Sequence, residues 1–416
     1  MLRTFHRNRT GILPAALLLF GILVSPIAVK AEPAPGKLLL KARHVFDGSS
    51  IHENAAVLIE QGRVLELGPQ ASVKPGGARV LDLGDATLLP GIIELHAHLT
   101  YRHVPEDVVL RHGVTTVRDV GGPLHPPRGG DGRLRVLTSG PILTAPQGYP
   151  IVLMGAERIA TAVADEEEAR QAVRDLAKGG AVVIKVALEP GGEAGAPWSG
   201  GHHHPAHSGH KHGHAPGPSH GESSDPGNWP LLPEAVVRAI VEEAHRHDLK
   251  VTAHIGEEQG ARLAVTAGVD EWAHMPCGPI TGRVLKLAAE QGVKIVSTLD
   301  TLSQCAGARS NAKVWATFEG ETLYGSEIAH PDVPWGVNAQ ELLYLMPLFE
   351  GDPFRVLQSA TSKAGAQLGI PLLGTLKPGA PADLIAVKGG VAHNLKKLEY
   401  PALVISGGTV VVNRFE

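Results

Sequence analysis

The chain has 416 residues, of which 43% are hydrophobic and 19% are charged, and its formal net charge is −4. This length exceeds that of a small single domain and allows one large core with an appended smaller domain. The composition is that of a globular protein and excludes a disordered chain or one with several membrane spans. Nucleic-acid-binding proteins usually carry an excess of basic residues, and this chain does not, so no nucleic-acid partner is expected.

The first thirty residues follow the pattern of a secretory signal. Three arginines precede an apolar run over residues 11–24, and Val29-Lys30-Ala31 provides a small-residue cleavage pattern. The alternative is an uncleaved membrane anchor, but Pro14 and Pro26 interrupt the span that a bilayer requires. We therefore expect a signal peptide over residues 1–31 and a periplasmic or secreted protein with no stable membrane span after cleavage.

Short apolar runs separated by turns lie near both ends of the remaining chain. Two runs flank Gln61-Gly62 as the strands of a hairpin would, and two more flank Gly407-Gly408 in the same way. We expect residues 37–90 and 372–416 to form together one small β-sandwich domain.

Between residues 91 and 371, short β-rich runs alternate with amphipathic helical patterns, which is typical of repeated βα units around a parallel sheet. This alternation predicts an α/β fold, namely a (β/α)₈ TIM-like barrel, whose active site would lie at the carboxyl ends of the strands. The eight candidate strands cover residues 92–98, 114–120, 135–138, 182–187, 251–254, 271–274, 294–298 and 323–326.

Residues 191–228 interrupt the alternation with a segment rich in Gly, Pro, Ser and His that has no period able to bury a face. Because it follows the candidate strand 182–187, we expect an inserted loop on the carboxyl face of the barrel. Clustered imidazoles bind zinc, copper or nickel, so the loop either handles extra metal ions or is a tolerated insertion with incidental metal affinity. Its histidines are His202, His203, His204, His207, His210, His212, His214 and His220.

Histidines and one acidic residue stand at the ends of several candidate strands. His96 and His98 occupy alternate positions, so both imidazoles point to the same side and can share one metal ion. A lone His-x-His pair has a structural explanation that is equally good. However, His254, His274 and Glu327 stand at three further strand ends, and each is a metal-ligand type at the face that hosts catalysis.

Lys185 lies inside an apolar strand, where a cation is costly to bury without a partner. It either forms a salt bridge with an acidic neighbour or reacts with carbon dioxide. The resulting carbamate would be an anionic oxygen donor able to bridge two metal ions.

The run from Pro90 to His98 resembles the first strand of the amidohydrolase superfamily. Further segments resemble its imidazolonepropionase-like and Xaa-Pro dipeptidase-like branch, namely residues 113–119, 183–186, 252–254, 272–274 and 373–384. The resemblance implies that His96 and His98 bind one metal ion and that His254 and His274 bind another. It also implies a carbamylated Lys185 that bridges two divalent ions, for which zinc suits the nitrogen and oxygen ligands.

One position departs from the family pattern. At the end of the eighth strand the family has an aspartate that binds metal and transfers protons, whereas this chain has Glu327. The added methylene moves the carboxylate by on the order of 1 Å, which can cost about 10²-fold in rate unless the backbone compensates. The sequence therefore predicts metal binding and leaves the effect of Glu327 on activity open.

These residues predict an exported binuclear-metal amidohydrolase that cleaves an amide in a dipeptide, an N-acyl amino acid or a cyclic amide. A metal-bridging hydroxide would attack the carbonyl, and Glu327 would accept its proton and return it to the leaving group. Arg118 and His125 are candidates for orienting the substrate, although Arg118 is equally suited to a structural ion pair. The alternatives are an esterase or lactonase that uses the same site, and a metal-binding or metal-buffering protein on an inactivated hydrolase scaffold.

The two cysteines, Cys277 and Cys305, are too few for a disulfide framework. A single bridge and two unpaired core thiols fit the sequence equally well, since the sequence does not give the distance between them.

Overall fold

The computed structural model describes residues 36–155, 159–191, 193–198, 228–330 and 332–415. Two predictions fall outside these ranges, namely the signal peptide over residues 1–31 and the histidine cluster between His202 and His220. Within the described ranges, no helix has the length and apolar character that crossing a membrane requires.

The described residues form 18 strands, ten α-helices and two short 3₁₀-helices. The strands are β1 Lys37–Phe46, β2 Ile51–Glu60, β3 Arg63–Pro69, β4 Arg79–Asp82, β5 Ala86–Pro90, β6 Ile92–Ala97, β7 Val114–Asp119, β8 Arg135–Thr138, β9 Ile142–Thr144, β10 Ala160–Ala162, β11 Ile184–Ala187, β12 Val251–His254, β13 Glu271–Trp272, β14 Lys294–Val296, β15 Glu321–Leu323, β16 Leu384–Lys388, β17 Leu403–Ser406 and β18 Thr409–Asn413. The helices are α1 Glu106–Arg111, α2 Ile151–Met154, α3 Glu166–Lys178, α4 Glu234–Arg246, α5 Glu258–Ala267, α6 Gly282–Glu290, α7 Ala308–Thr317, α8 Ala339–Leu345, α9 Pro353–Ser359 and α10 Ser362–Gln367, and the 3₁₀-helices are Met346–Phe349 and Leu395–Glu399.

Strands from the two ends of the chain form one mixed sheet of eight strands in the order β18-β17-β16-β5-β1-β2-β3, with β4 paired to β1. The two segments join where β16 runs antiparallel to β5. The turn between β2 and β3 contains Gln61 and Gly62 with positive φ values of 51° and 75°, as the tight hairpin turn requires. The small β domain predicted from both chain ends is thus confirmed, and its strands belong to a single sheet.

The eight strands predicted for the barrel are present in chain order and run parallel. Strands β6, β7 and β8 form one sheet, and β11 to β15 follow one another in the second. The two sheets meet where Val182 N donates to Thr138 O at 2.9 Å, and the ring closes through a parallel bridge between Ala97 and Ile328. The predicted (β/α)₈ barrel is therefore confirmed.

Two short strands were not predicted. Strand β9 follows β8 after Ser139-Gly140-Pro141 and pairs in parallel with both β10 and β11. Gly140 has a φ of 68°, and the Gly-Pro pair interrupts the apolar run, so the sequence pattern ends at Thr138.

The eighth barrel strand lies earlier than predicted, since β15 ends at Leu323 rather than at Ser326. Beyond it the backbone leaves the regular pattern, because Tyr324 N donates to Ser359 O and Ser326 N donates to the side chain of Glu94. Glu327 is thereby placed on an irregular segment above the strand, with a positive φ of 64°.

Cys277 and Cys305 form a disulfide, with their Cα atoms 4.9 Å apart. Of the two alternatives that the sequence left open, the bridge is the one observed. Cys277 follows β13 and Cys305 follows β14, so the bridge joins two loops at the carboxyl face of the barrel.

Candidate metal centre

The carboxyl ends of four barrel strands bring five predicted metal ligands to one face of the barrel. His96 lies near the end of β6 and His98 directly after it, while His254 is the last residue of β12. His274 and Glu327 follow β13 and β15. None of the five residues is more than 7% exposed, so these polar side chains are buried together.

The first cluster consists of His96, His98 and Glu327. The Nε2 atoms of the two histidines lie 3.2 Å apart. Each of them is 3.8 Å from Oε1 of Glu327. Two imidazoles and one carboxylate therefore point into the same small space, as ligands of a divalent ion would.

The second cluster consists of His254, His274 and Glu193. The Nε2 atom of His274 lies 2.7 Å from Nδ1 of His254. The other nitrogen of His254, Nε2, lies 3.1 Å from Oε2 of Glu193. The ring centroids of His96 and His274 are 5.9 Å apart, so the two clusters are direct neighbours.

Lys185 lies in β11 and is 1% exposed. Burial lowers the pKa of its amine to about 7, against the opposing charge of Glu327. Among the described residues it has no salt-bridge partner within 4.0 Å. The salt bridge that was one alternative for this lysine is thus not observed in the described part of the chain.

Burial keeps the histidines of both clusters neutral, which is the form that binds metal. It lowers the pKa of His98 to about 3, and it lowers the pKa values of His96, His254 and His274 well below the usual range. At neutral pH these rings therefore carry free lone pairs.

The same burial disfavours the charged form of the carboxylates. It raises the pKa of Glu193 to about 8 and also raises the pKa of Glu327. Buried atoms without a hydrogen-bond partner among the described residues include Oε1 of Glu193 and Oε2 of Glu327. An unpaired buried carboxylate is costly, and cations bound beside these two groups would favour their ionised form. The donor set therefore fits two divalent metal ions.

Hydrogen bonds behind the first cluster fix its orientation. Nδ1 of His96 lies 2.5 Å from the carbonyl oxygen of Ala273 and donates its proton there, which leaves Nε2 facing His98. The carboxylate of Glu94 accepts from the backbone N–H and hydroxyl of Ser326 and from the backbone N–H of His96. Glu94 thus ties the first strand to the segment that carries Glu327.

Several residues around the clusters were missed by the sequence analysis. Glu193 lies in the segment that was assigned to the low-complexity insertion. In the sequence it could have been noticed as an acidic residue eight positions after Lys185, close to the end of a barrel strand. His330 follows Glu327 by three residues, and its Nε2 is 3.6 Å from Oε1 of Glu327.

Aromatic rings enclose the metal-binding side chains. Tyr101 stacks on His98 and Tyr149 stacks on His254, with ring centroids 4.3 and 4.4 Å apart. The ring of Trp198 lies 5.7 Å from that of His254 and 5.8 Å from that of His274. Since the whole chain contains five tryptophans and five tyrosines, the presence of three of them here makes this an unusually aromatic site.

Arg118 does not reach the clusters, and its assignment as a substrate-orienting residue is corrected. Its guanidinium donates to both carboxylate oxygens of Glu271, at 2.5 and 3.3 Å, and its Nε donates to Leu95 O at 2.8 Å. The side chain is 2% exposed. The structural ion pair, which was the alternative for this residue, is the arrangement observed.

His125 also lies away from the clusters. Its Nδ1 donates to the carbonyl oxygen of Pro126 at 2.8 Å. A Cβ built at Gly180 would meet the Pro126 backbone at 2.7 Å, so this segment packs beside residues that precede β11. Among the described residues, His125 is not part of either cluster, and its role towards the substrate stays a prediction.

Comparison with known proteins gives a consistent assignment. Residues 87–411 match the model of the family described as the amidohydrolase family. The ochratoxinase of Aspergillus niger is 26% identical over 186 residues, which are 40% of this chain and 38% of that protein. An imidazolonepropionase from Salinispora tropica is 45% identical over 51 residues, which cover 12% of this chain and 13% of that enzyme. The alignments therefore span well under half the length of these curated relatives.

Solved structures resemble the chain over most of its length. The crystal structure of A. niger ochratoxinase aligns with a TM-score of 0.70 at 20% identity, covering 91% of this chain and 96% of that one. A Xaa-Pro dipeptidase with methionine bound in its active site aligns with a TM-score of 0.69 at 20% identity, covering 90% and 99% of the two chains. At this identity the likeness establishes the fold.

Proposed function

Since the chain belongs to the amidohydrolase family, a family of hydrolases, we propose that it is an exported enzyme that uses two divalent metal ions to cleave an amide bond. The observation that carries this proposal is the pair of neighbouring buried clusters, each with two histidines and one acidic residue. Zinc suits imidazole and carboxylate ligands, and in catalytic sites it keeps one position open for water or substrate.

The ligands are distributed over the two clusters. His96 and His98 would hold one ion, and His254 and His274 the other, with Lys185 contributing to both once it is carbamylated. When bound, the two ions would lower the pKa of a water molecule towards about 7 and polarise the substrate carbonyl.

We propose that Glu327 transfers the proton. Its Oε1 lies 3.8 Å from the Nε2 atoms of His96 and His98, and its Oε2 has no hydrogen-bond partner among the described residues. We assign Glu327 as the base that takes a proton from the attacking water and then, as an acid, gives it to the leaving nitrogen. The products are a carboxylic acid and an amine.

The carbamate on Lys185 would form when its neutral amine attacks carbon dioxide, with a C–N bond formed and one proton released. Two observations support it. The pKa of Lys185 is lowered to about 7 by burial, so a large fraction of the amine is neutral near neutral pH, and no described carboxylate forms a salt bridge with it. The carbamate would convert a costly buried cation into an anion beside two cations.

The substrate is a small molecule or short peptide, and we propose a dipeptide, an N-acyl amino acid or a cyclic amide. The relatives named above include an ochratoxinase and a Xaa-Pro dipeptidase, which favours this class. The aromatic rings of Tyr101, Tyr149 and Trp198 would favour substrates that carry an apolar group near the scissile bond.

Export with cleavage near Ala31 is proposed from the signal-like sequence pattern. Extra metal ions on the histidine cluster between His202 and His220 are proposed from composition. Metal counts must therefore separate the two clusters of the barrel from this segment.

The proposal is tested by metal stoichiometry and turnover together. Protein prepared with bicarbonate, with and without residues 201–220, is expected to bind about two zinc ions per chain at the barrel site and to hydrolyse members of an amide panel. A metal content near zero in the shortened protein would overturn the two-metal centre. An esterase or lactonase would instead turn over esters while leaving the amide panel untouched.

A second candidate is a metal-binding or metal-buffering protein on an inactivated hydrolase scaffold. The observation in its favour is Glu327, which replaces the aspartate expected at the end of the eighth strand. Two bound metal ions without turnover of any amide or ester in broad panels would support this candidate over the hydrolase.

A further inference from the structure

We propose that Glu193 is a positioning residue that fixes the ring of His254 and thereby sets the affinity of the second metal ion. The inference rests on the proposed two-metal centre and assigns a role to a side chain that lies outside the barrel strands. Glu193 stands on the loop that follows β11 and is 4% exposed.

The two nitrogens of His254 have different partners. Nδ1 faces Nε2 of His274 at 2.7 Å, whereas Nε2 faces Oε2 of Glu193 at 3.1 Å. A metal ion shared by the two histidines would take the pair of nitrogens that face each other. The proton of His254 is then on Nε2, from which it is donated to Glu193.

The first cluster is built in the same way. His96 directs Nε2 towards His98, while its Nδ1 donates to the carbonyl oxygen of Ala273. In each cluster, one histidine turns one ring nitrogen towards its partner histidine while an oxygen acceptor holds its other nitrogen, namely His96 in the first cluster and His254 in the second. The acceptor is a neutral carbonyl in the first cluster and a carboxyl group in the second.

This difference has a chemical consequence. A carboxylate that accepts the second N–H of a ligating imidazole orients the ring and increases its basicity, and the loss of such a partner typically costs 10- to 100-fold in metal affinity. Glu193 would therefore strengthen the bond between His254 and its metal ion, while the ion would keep Glu193 in its charged form.

Other contacts hold Glu193 in place. The indole N–H of Trp198 donates to Oε2, the same oxygen that faces His254. A Cβ at Gly256 would overlap the side chain of Glu193, so the glycine provides the space that the carboxyl group needs. Tyr149 stacks on the ring of His254 at 4.4 Å and restricts its tilt. The affinity of a metal ion bound by two strand-end histidines thus depends on the loop that carries residues 193–198.

The competing role for Glu193 is that of a direct ligand, with His254 binding through Nε2. Glutamine separates the two roles, because its amide oxygen still accepts a hydrogen bond from Nε2–H but is a poor replacement for an anionic ligand. Alanine removes both possibilities.

The experiment is a zinc titration of the full-length chain against a competing chelator, with Glu193→Gln, Glu193→Ala and Trp198→Phe, and with Glu290→Gln on the exposed face of α6 as the matched control. We expect the affinity of the first site, at His96 and His98, to be unchanged in all variants, and both sites to be unchanged in the control. The second site should weaken by about 10- to 100-fold in Glu193→Ala and by less in Glu193→Gln and Trp198→Phe. Because all variants keep residues 201–220, zinc bound there cancels in the comparison.

Cobalt substitution provides a readout that does not depend on turnover. A positioning role predicts that the absorption bands of the second site keep their intensity in Glu193→Gln, because the number of ligands is unchanged. The inference is overturned if Glu193→Ala binds the second zinc ion as tightly as the wild type, or if Glu193→Gln is as impaired as Glu193→Ala and has altered cobalt bands. A wild-type chain that binds fewer than two ions in the barrel would overturn the proposed function itself. The metal content of the wild type is therefore measured before the variants are compared.

Discussion

Arg118 and Glu271 face each other inside the barrel and form a two-pronged ion pair, with the shorter contact at 2.5 Å. Glu271 also accepts hydrogen bonds from Thr252 and Gln367, so its carboxylate is fully surrounded. Burial acts to raise the pKa of Glu271, but Arg118 and these donors hold it below its usual value. The pair lies on β7 and β13 and therefore links the two sheets of the barrel across its interior.

Arg118→Met is expected to destabilise the folded protein by about 3–5 kcal/mol, because it leaves the charge of Glu271 buried without its partner. The free energy of unfolding from urea titration measures this change. The double variant Arg118→Met with Glu271→Leu should recover part of the loss, since no charge then remains unpaired. If Arg118→Met instead raised KM and left the stability unchanged, the substrate role that the structure argues against would have to be reinstated.

Lys185→Ala is expected to abolish binding of one or both metal ions, because the proposed bridging carbamate cannot form. Metal analysis of protein prepared with bicarbonate measures the loss. In the wild type, preparation with ¹³C-labelled bicarbonate should give a carbamate carbon signal in NMR spectra that Lys185→Ala lacks. Full metal content in Lys185→Ala would show that this lysine has no part in the centre.

Glu327→Gln is expected to lower kcat by about 10²- to 10⁴-fold, since the amide cannot accept the proton that must reach the leaving nitrogen. Glu327→Asp is the informative partner. The structure places the carboxylate of a glutamate 3.8 Å from the Nε2 atoms of His96 and His98, so a shorter side chain should fall back by on the order of 1 Å and lose about 10²-fold in rate. Higher activity in Glu327→Asp than in the wild type would mean that the natural residue impairs the site.

Glu341 predicts a pH dependence of stability away from the metal centre. Burial, with a smaller contribution from the nearby charge of Asp300, raises its pKa from 4.5 to about 8, against hydrogen bonds from the Ser297 side chain and from the backbone N–H groups of Asp300 and Leu299. Between pH 4.5 and 8 the folded state keeps a proton that the unfolded state has released, so stability falls as pH rises through this window. The contribution is on the order of 5 kcal/mol.

The test compares unfolding of the wild type and Glu341→Gln by urea at pH 5 and pH 8.5. The variant should gain stability relative to the wild type at the higher pH, whereas Glu290→Gln on the surface of α6 should track the wild type at both. An equal difference between wild type and Glu341→Gln at the two pH values would rule out this titration.

The sequence was sufficient for the barrel because the βα alternation is local and each candidate strand carries its own apolar run. It also placed His96, His98, His254, His274 and Glu327 at one face, since residues at the carboxyl ends of parallel strands share an edge. The ion pair of Arg118 could not be predicted from the sequence, because its partner Glu271 lies 153 positions away and no local pattern indicates the contact.

Glu193 was missed for a different reason. Its surroundings are rich in glycine and proline, so the composition indicated an insertion. Composition does not indicate that one acidic residue of such a segment is buried. Strands β9 and β10 were missed because three-residue strands separated from their neighbours by glycine and proline carry too little periodicity.

Because Cys277 and Cys305 form a disulfide, the redox conditions under which the protein is made affect the loop beside the metal centre. The disulfide closes a stretch of 28 residues, which in the chain-entropy description is worth about 3–4 kcal/mol. Cys277 follows His274 by three residues, so the anchored loop is the continuation of a strand end that carries a metal-binding side chain. Protein made in a reducing cytoplasm would lack this anchor. Two preparations with identical sequences but different thiol content would then differ in how firmly the loop beside the centre is held. Free thiols should therefore be measured together with bound metal in every preparation.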